Sequence, residues 1–300
     1  MATQRKERSD WRPAGGLDPP LTGEDRVSPD HGKEPDRLRV TEIFFSLQGE
    51  STHQGLPCAF VRMTGCNLRC AWCDTEYAFQ GGTTMRIDEI LAALEKYPTK
   101  RVELTGGEPL LQRGTPVLAT RLLERGYTVL CETSGERDID LLPPGVKRIV
   151  DMKAPGSGEV GSNDYQNLAR MKPGDELKIV IADRADFDWG LALVRAHAIE
   201  GRVPILLAPV HGKVEPRQLA GWILESGLDA RLNLQLHKTL WGAEARGVRG
   251  AALLPAATTA LAAAAKRPLR TAHRRCRARC PRGLRRRTRR RSCRGSRRCW

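Results

Sequence analysis

The sequence contains no apolar run that is long enough to cross a membrane as a helix. Its most apolar stretch, residues 251–265, is short and rich in alanine, whereas a membrane-spanning helix needs about 20 mainly apolar residues. The first 36 residues are largely polar and charged, and they lack the apolar core of a secretory signal peptide. We therefore expect no membrane association and a location in the reducing cytoplasm.

Acidic residues are absent after Val248, and there the chain becomes strongly basic. Residues 249–300 hold 17 Arg and one Lys, so that 32 basic and 35 acidic residues remain in the rest of the chain. The formal net charge of +15 thus belongs to this segment and is no evidence that the remainder binds nucleic acid. Large apolar residues are scarce in the segment and its like charges repel, so we expect a disordered or non-native tail.

A nucleic-acid-binding arm is the alternative interpretation of this tail. Aromatic residues that could stack on bases are lacking there, apart from Trp300. The tail also contains four cysteines whose irregular spacing makes a zinc knuckle a weak alternative: Cys276, Cys280, Cys293 and Cys299. We therefore expect nucleic acid to bind through the tail, if at all, and not through the rest of the chain.

Three cysteines lie within eight residues in the first third of the chain. They are Cys66, Cys70 and Cys73, spaced C-x3-C-x2-C. Thiolates this close in sequence converge on one centre, for which an iron–sulfur cluster and zinc are the usual candidates. A closed zinc site takes four protein ligands, and the nearest fourth candidate, Cys58, falls in a predicted buried strand. Three thiolates on a four-iron cluster leave one iron free for a substrate or cofactor, and we therefore expect a [4Fe-4S] cluster.

Short apolar strands alternate with amphipathic helices from residue 38 onward, after a polar leader (residues 1–37) that we expect to be disordered. The predicted strands cover residues 39–45, 58–63, 101–105, 128–131, 147–152, 177–181, 204–207 and about 232–236. The predicted helices cover residues 87–94, 116–125, 185–199 and 216–226. This alternation is typical of βα units on a parallel sheet, and there are too few helices for a complete eight-fold barrel.

Glycines and polar residues lie at the C-terminal ends of three of the predicted strands. These segments are Thr105-Gly106-Gly107, Glu132-Thr133-Ser134 and Asp151-Met152-Lys153. In βα barrels the chemistry takes place at the C-terminal ends of the strands. The sequence therefore predicts a site at this edge of the sheet.

Several motifs in a fixed order narrow the interpretation of the cysteine run, which by itself matches the cluster loop of the radical S-adenosylmethionine (SAM) enzymes. They are FSLQGE at residues 45–50, Arg62, CDT at 73–75, TGGEP at 105–109, LQLHK at 234–238 and RGV at 246–248. Together they resemble the 7-carboxy-7-deazaguanine synthase family over about residues 38–248. The resemblance implies an α/β fold, an incomplete TIM-like βα barrel of the radical SAM type, and a catalytic domain that covers residues 38–248.

The resemblance also implies an activity and its cofactors. The reaction is the ring contraction of 6-carboxy-5,6,7,8-tetrahydropterin to 7-carboxy-7-deazaguanine with release of ammonia, in 7-deazapurine and queuosine biosynthesis. The implied cofactors are a [4Fe-4S] cluster, SAM and Mg²⁺; the implied assembly is a homodimer, and a flavodoxin-like protein is a candidate electron donor. The alternative is a radical SAM activase that generates a glycyl radical on a partner protein, against which the LQGE and LQLHK segments argue.

Site residues follow from the positions that match the family's motifs. Cys66, Cys70 and Cys73 would hold the cluster, and Thr75 would bind Mg²⁺. The implied substrate-binding residues are Leu47, Gln48, Gly49, Glu50, Arg62 and Thr105. The implied SAM-binding residues are Gly107, Glu108, Asp151, Met152, Lys153, Ala208, Pro209, Val210 and His211.

Simpler interpretations exist for most of these positions. An ordinary turn would explain the two glycines, and a surface ion pair would explain Arg62. A helix cap made by the 74–75 segment would explain Thr75. His237 could reach the pocket, but a single histidine is more often structural.

The resemblance predicts an effect of the tail on activity. In the family the chain ends near Val248, and its terminal carboxylate lies beside the last strand; here Arg249 follows, and a neutral peptide group replaces that carboxylate. We expect truncation after Val248 to restore or raise turnover, and to reduce retention of contaminating nucleic acid at low salt. Turnover and copurified nucleic acid of the two chains measure both effects. A truncated chain that keeps its cluster but loses activity would instead assign the tail a selected role.

Overall fold

The computed structural model describes residues 35–243, in which one mixed sheet of nine strands forms the frame. The strands are β1 (Arg37–Leu47), β2 (Pro57–Met63), β3 (Thr83–Arg86), β4 (Arg101–Gly106), β5 (Thr128–Thr133), β6 (Lys147–Met152), β7 (Glu176–Ile181), β8 (Ile205–Pro209) and β9 (Arg231–Leu232). Their order across the sheet is β3-β1-β2-β4-β5-β6-β7-β8-β9. β1 is antiparallel to β2 and β3, whereas β2 and β4 to β9 run parallel.

Six helices lie in the described residues; all but the last connect strands and cover one face of the sheet. They are α1 (Ile87–Leu94), α2 (Thr115–Glu124), α3 (Gln166–Arg170), α4 (Arg184–Ala196), α5 (Pro216–Ser226) and α6 (Leu236–Trp241). Short 3-10 helices lie at Glu76–Ala78, Pro109–Leu111, Ile139–Leu141, Pro155–Ser157 and Val160–Ser162. The sheet has two edges, β3 and β9, in the described residues. It is therefore an open, incomplete βα barrel, as the sequence predicts.

Alternation along the strands separates an apolar outer face from a polar inner face. In β4, Val102 and Leu104 belong to the apolar core that the helices cover, while Glu103 and Thr105 point to the opposite face. This follows from the two-residue period of a strand, which sends successive side chains to opposite sides. The inner positions of β5, β6 and β7 are occupied in the same way by Glu132, Asp151 and Lys178.

The predicted last strand is largely wrong. β9 contains only Arg231–Leu232, and the next backbone amide, that of Asn233, donates to the carbonyl of Leu207 at 2.8 Å. Leu236, predicted to lie in the strand, begins α6 instead. The chain leaves the sheet there because the amide of Leu236 donates to the carbonyl of Gly49, at 2.9 Å, in the turn between β1 and β2.

The other predicted elements are confirmed with small shifts of their bounds. β1 and β2 begin earlier than predicted, and α4 ends at Ala196 instead of residue 199, because Ala198 takes a left-handed backbone angle of φ 49°. β3, α3 and α6 were not predicted. The leader and the basic tail, with the RGV segment, lie outside the described residues except for 35–37, and Arg37 already belongs to β1. Within the described part of the chain, no helix is both long and apolar enough to span a membrane.

Candidate functional site

A cavity of about 730 Å³ opens on the inner face of the sheet. Its upper wall is formed by the loop that follows β2 and by the C-terminal ends of the parallel strands. Its lower wall is formed by Leu47, Gln48, Gly49 and Glu50. Because β1 is antiparallel to β2, the turn between them lies at the opposite end of the sheet, where the parallel strands begin. The cavity therefore extends through the barrel from one end to the other.

The three cysteines of the loop after β2 all line this cavity. The loop is held by backbone hydrogen bonds from Cys73 to Cys70, at 3.2 Å, and from Ala71 to Ser157, at 3.0 Å. Burial raises the pKa of the Cys66 and Cys70 thiols, so that a bound cation is needed to keep them as thiolates. These residues fit a shared inorganic centre.

The arrangement of the cysteines fits a cluster better than a single metal ion. Among residues 35–243, no three His, Cys, Asp or Glu side chains are close enough to hold one ion. Zinc draws its ligands into a tetrahedron, whereas a four-iron cluster takes one thiolate per iron and leaves the sulfurs apart. Cys58 is fully buried in β2, and it does not line the cavity. It is thus no fourth ligand.

Two glycines at the end of β4 allow this strand to touch the cluster loop. A Cβ on Gly107 would lie 2.0 Å from the carbonyl oxygen of Gly65 and 3.0 Å from the Cβ of Cys66. Gly106 has φ 137°, and a Cβ there would lie 2.3 Å from the carbonyl oxygen of Met63. A side chain at Gly107 would push the cysteine loop outward, and one at Gly106 would clash with the backbone at the end of β2. The glycine pair is therefore more than an ordinary turn.

Two predicted SAM-binding side chains lie behind the cavity wall. The carboxylate of Glu108 is fully buried and accepts hydrogen bonds from Leu110 N at 2.8 Å, Thr133 Oγ1 at 2.8 Å and Ser134 N at 2.7 Å. Met152 packs in the apolar core. Neither lines the cavity, because the carboxylate is used to join the ends of β4 and β5 and the thioether points to the outer face.

The remaining predicted SAM-binding residues line the cavity: Gly107, Asp151, Lys153, Ala208, Pro209, Val210 and His211. Lys153 Nζ pairs with Asp151 Oδ2 at 3.0 Å. The other carboxylate oxygen of Asp151, Oδ1, is buried without a hydrogen-bond partner among the described residues. A buried acceptor without a partner is costly, and an ammonium or hydroxyl group of a ligand would satisfy it. This part of the wall therefore fits SAM.

A buried lysine organises the lower half of the cavity. Lys178 Nζ lies 2.6 Å from Glu50 Oε2, 2.6 Å from Glu132 Oε1 and 4.0 Å from Asp151 Oδ2. Burial alone would lower the pKa of Lys178, but the three carboxylates raise it well above its usual value. Burial alone would raise the pKa of Glu50. Attraction to Lys178 and the hydrogen bonds from Lys178 and Gln235 instead bring this pKa below its usual value. Glu50 is thus held as a carboxylate.

The pKa of Glu103 and that of Glu132 are raised, in contrast to that of Glu50. Burial, followed by repulsion from Glu132 and Glu50, raises the pKa of Glu103 well above its usual value. The amide of Gln48 donates to its carboxyl group. The cavity therefore presents carboxylates and a carboxyl group that favours the neutral form.

Sequence reasoning missed Glu103 and Lys178 as members of the site, and it predicted Glu132 there without its lysine partner. A signal was present, since Glu103 and Lys178 are each a charged residue between two apolar neighbours in a buried strand. Such residues are rarely buried without a partner.

Arg62 lies on the side wall near the cluster loop. Its Nε donates to Glu42 Oε1 at 2.8 Å, and the same carboxylate oxygen accepts from the hydroxyl of Tyr77 at 2.9 Å. The guanidinium lies 5.9 Å from the ring centre of Phe44 and 5.8 Å from that of Tyr77. The residue is largely buried and lines the cavity, so a surface ion pair does not describe it.

α6 closes one side of the cavity by contacting both walls. Lys238 Nζ pairs with Asp74 Oδ2 in the cluster loop at 2.8 Å, and Gln235 Nε2 donates to Glu50 Oε1 at 2.9 Å. The ring of His237 packs so closely on the lower wall that a Cβ on Gly49 would lie 2.1 Å from its Nδ1. Gly49 is thus required by the contact with α6.

The other two predicted residues also line the cavity. Thr105 is buried at the end of β4. Thr75 precedes a 3-10 helix, but its hydroxyl makes no capping hydrogen bond and lies 3.7 Å from the Cys73 sulfur. The helix-cap interpretation of Thr75 is therefore not realised.

Comparisons with known proteins agree with this geometry. The Radical SAM superfamily matches residues 60–152. The 7-carboxy-7-deazaguanine synthase of Koribacter versatilis is 48% identical over 226 residues, which are 70% of this chain and 100% of the relative. The synthase of Chlorobaculum tepidum is 47% identical over 214 residues, which are 70% of this chain and 97% of the relative.

A solved structure shares the fold. QueE from Escherichia coli matches with a TM-score of 0.57 and 23% identity, over 66% of this chain and 94% of the other. The likeness in fold agrees with the sequence identity to the two synthases. This chain belongs to the 7-carboxy-7-deazaguanine synthase family of the radical SAM superfamily.

Proposed function

We propose that this chain converts 6-carboxy-5,6,7,8-tetrahydropterin to 7-carboxy-7-deazaguanine with release of ammonia, a step of queuosine biosynthesis. One observation carries the proposal: a single cavity joins three cysteines at one end to the carboxylates of Glu50 and Glu132 further down, with the Arg62 guanidinium on its side wall. The synthase name of relatives up to 48% identical supports the same reaction. The glycyl-radical activase has no support among these relatives.

The polar side chains of the cavity suit the two ends of a carboxylated pterin. The amino-pyrimidinone end carries hydrogen-bond donors, for which Glu50 and Glu132 offer carboxylate oxygens. The carboxylate end suits the guanidinium of Arg62, which can bind it with two parallel hydrogen bonds. Because Glu42 holds the Nε of Arg62, the planar group is oriented before the substrate binds.

The upper part of the cavity would hold the cofactors. Cys66, Cys70 and Cys73 would bind a [4Fe-4S] cluster, and the wall that contains Asp151 and Lys153 would bind SAM. When bound, the cluster and SAM would supply the radical chemistry of the reaction. The chain positions the substrate and keeps water away from it.

Further parts of the proposal concern magnesium and partners. Thr75 would offer one oxygen to Mg²⁺, which usually keeps several waters and takes the rest of its ligands from substrate. We also infer a homodimer, a flavodoxin-like electron donor and a cytoplasmic location. If nucleic acid binds at all, it would bind through residues 249–300.

An anaerobic assay tests the proposed reaction. The cluster-loaded protein is incubated with SAM, a reductant, Mg²⁺ and the carboxypterin, and the products are identified by mass spectrometry. We expect 7-carboxy-7-deazaguanine and ammonia, and lower turnover when Mg²⁺ is omitted. Cleavage of SAM with an unchanged pterin would show that the enzyme acts on another substrate.

Replacing Arg62 with lysine is expected to weaken pterin binding about tenfold and to leave SAM binding unchanged, since lysine keeps the charge but loses the planar fork. Titration calorimetry of the cluster-loaded protein measures both affinities. Arg121→Lys is the matched control, because Arg121 lies on α2, outside the cavity, where it is paired with Asp88 of α1. An equal loss of both affinities in Arg62→Lys would mean that Arg62 acts through the fold.

A further inference from the structure

The turn between β1 and β2 is tied to three other strands and to the segment that follows β9. This turn, residues 48–56, is called the floor turn here because its first residues form the lower wall of the cavity. Two backbone hydrogen bonds close it, from Gln48 N to Leu56 O and from Gly55 N to Gln48 O, each 2.8 Å long. Its contacts with the rest of the barrel are made by β4, β6, where Lys147 Nζ lies 3.3 Å from His53 Nε2, β7 and the residues that follow β9.

The main attachment is to a buried carboxylate at the start of β7. Glu176 is 3% exposed, and its two oxygens accept from the backbone amide of Thr52 at 3.3 and 3.1 Å. The hydroxyl of Thr52 donates to the same carboxylate. Among the described residues, no cation forms an ion pair with Glu176. The floor turn therefore supplies the hydrogen-bond donors that the buried carboxylate of Glu176 requires.

Glu176 and Lys178 hold the floor turn from the same face of β7. The two residues are two positions apart in one strand, so their side chains point to the same side. Lys178 binds the carboxylate of Glu50, while Glu176 binds the backbone two residues later. The position of the Glu50 side chain in the cavity is therefore defined by both contacts.

Backbone strain lies between these two contacts. Ser51 has a left-handed φ of 65°, which is unusual for a residue other than glycine. Such a conformation persists only where its surroundings hold it. Ser51 N donates to Asn233 Oδ1 at 3.1 Å, and Arg101 Nε donates to His53 Nδ1 at 3.1 Å. Loss of one strong contact would let the strained turn relax.

We propose that Glu176 is a positioning residue for the pterin: by fastening Thr52 it holds the floor turn in the strained conformation that places Gln48 and Glu50 in the cavity. This inference rests on the proposed function. Glu176 does not line the cavity itself. Its effect on the substrate is therefore transmitted through the floor turn.

The test uses Glu176→Gln in the cluster-loaded enzyme, because the amide has one acceptor oxygen where the carboxylate has two. We expect the KM for the carboxypterin to rise about tenfold, as for loss of a hydrogen bond to a charged group. The KM for SAM and the iron content stay unchanged. Hydrogen–deuterium exchange of the peptide that covers residues 48–56 becomes faster. Thr52→Val removes the hydroxyl from the other side and shows the same pattern, to a smaller extent.

Coupling to Glu50 separates a positioning role from a general one. If Glu176 acts through the floor turn, Glu50→Gln and Glu176→Gln together raise the pterin KM little more than Glu50→Gln alone. Asp175→Asn is the matched control: Asp175 is an equally buried carboxylate next to Glu176, but it binds Arg148 and Lys172 outside the cavity. We expect this control to lower the melting temperature and to leave the pterin KM unchanged.

Each outcome of the Glu176→Gln experiment either supports the positioning role of Glu176 or overturns it. Faster exchange in the floor turn with an unchanged pterin KM overturns the inference, as does unchanged exchange. Equal loss of pterin and SAM affinity also overturns it, since that pattern indicates a structural role. If the unmodified enzyme does not convert the pterin, the proposed function fails. If the unmodified enzyme converts the pterin but Glu176→Gln leaves the pterin KM unchanged, only the inference about Glu176 fails.

Discussion

Alanine in place of Cys66, Cys70 or Cys73 is expected to abolish both cluster binding and turnover. Each of these thiols lines the cavity and would bind a different iron, so no neighbour can replace the one that is lost. The measurements are iron per chain after anaerobic reconstitution, absorption near roughly 400 nm, where thiolate-to-iron charge transfer lies, and product formed from the carboxypterin.

Cys58→Ala and Cys131→Ala are the matched controls for this experiment. Both thiols are fully buried, and burial raises the pKa of each far above its usual value, so both remain inert packing groups. We expect normal iron content in these two variants, with a small loss of thermal stability from the missing sulfur atom. Full iron content in any of the first three variants would remove the basis of the cluster assignment.

Methionine in place of Lys178 is expected to destabilise the protein by about 3–5 kcal/mol at pH 8, the usual effect of breaking a buried ion pair from one side. Glu50 and Glu132 lose the cation that lies 2.6 Å from each of them. Pterin binding is lost as well, because the two carboxylates that would face the substrate lose the cation that fixes their positions and then repel each other. The measurement is the thermal midpoint of the cluster-loaded protein, kept anaerobic, together with the pterin affinity.

The pH dependence of this variant has a definite sign. Without Lys178, burial and mutual repulsion remain, and both raise the folded-state pKa of Glu50 and Glu132 above the unfolded value. Groups of this kind stabilise the fold at low pH and lose that contribution as the pH rises through the folded pKa. The stability deficit relative to the unmodified protein is therefore smaller at pH 5 than at pH 8. A deficit that grows as the pH falls would contradict this account.

Lys172→Met serves as the control for charge and side-chain size. Lys172 is exposed and pairs with Asp140 at 3.3 Å. Exposed pairs contribute about 0–1 kcal/mol, so we expect a small change in the thermal midpoint and no change in pterin affinity. A similar loss in both lysine variants would mean that the loss of a positive charge, and not the buried pairing, causes the effect.

The helix-covered strands could be predicted from the sequence because their signal is local. Apolar residues at alternate positions define β4 to β7, and their bounds agree with prediction to within one or two residues. The end of the last strand could not be predicted, because the apolar residues near Leu234 and Leu236 are as compatible with a strand as with the helix that the structure shows. A hydrogen bond to Gly49, nearly two hundred residues earlier in the chain, decides that Leu236 begins a helix.

The sequence by itself determined the cluster loop, since its three cysteines need only a few residues of chain to reach one centre. It also determined the family, through short motifs whose order is visible without a structure. Only the tertiary structure decided that Lys178 meets Glu50 and Glu132, and that Glu108 is enclosed between two strand ends. The physical reason is that such contacts depend on the register and curvature of the whole sheet, which bring side chains together that are dozens to more than a hundred residues apart.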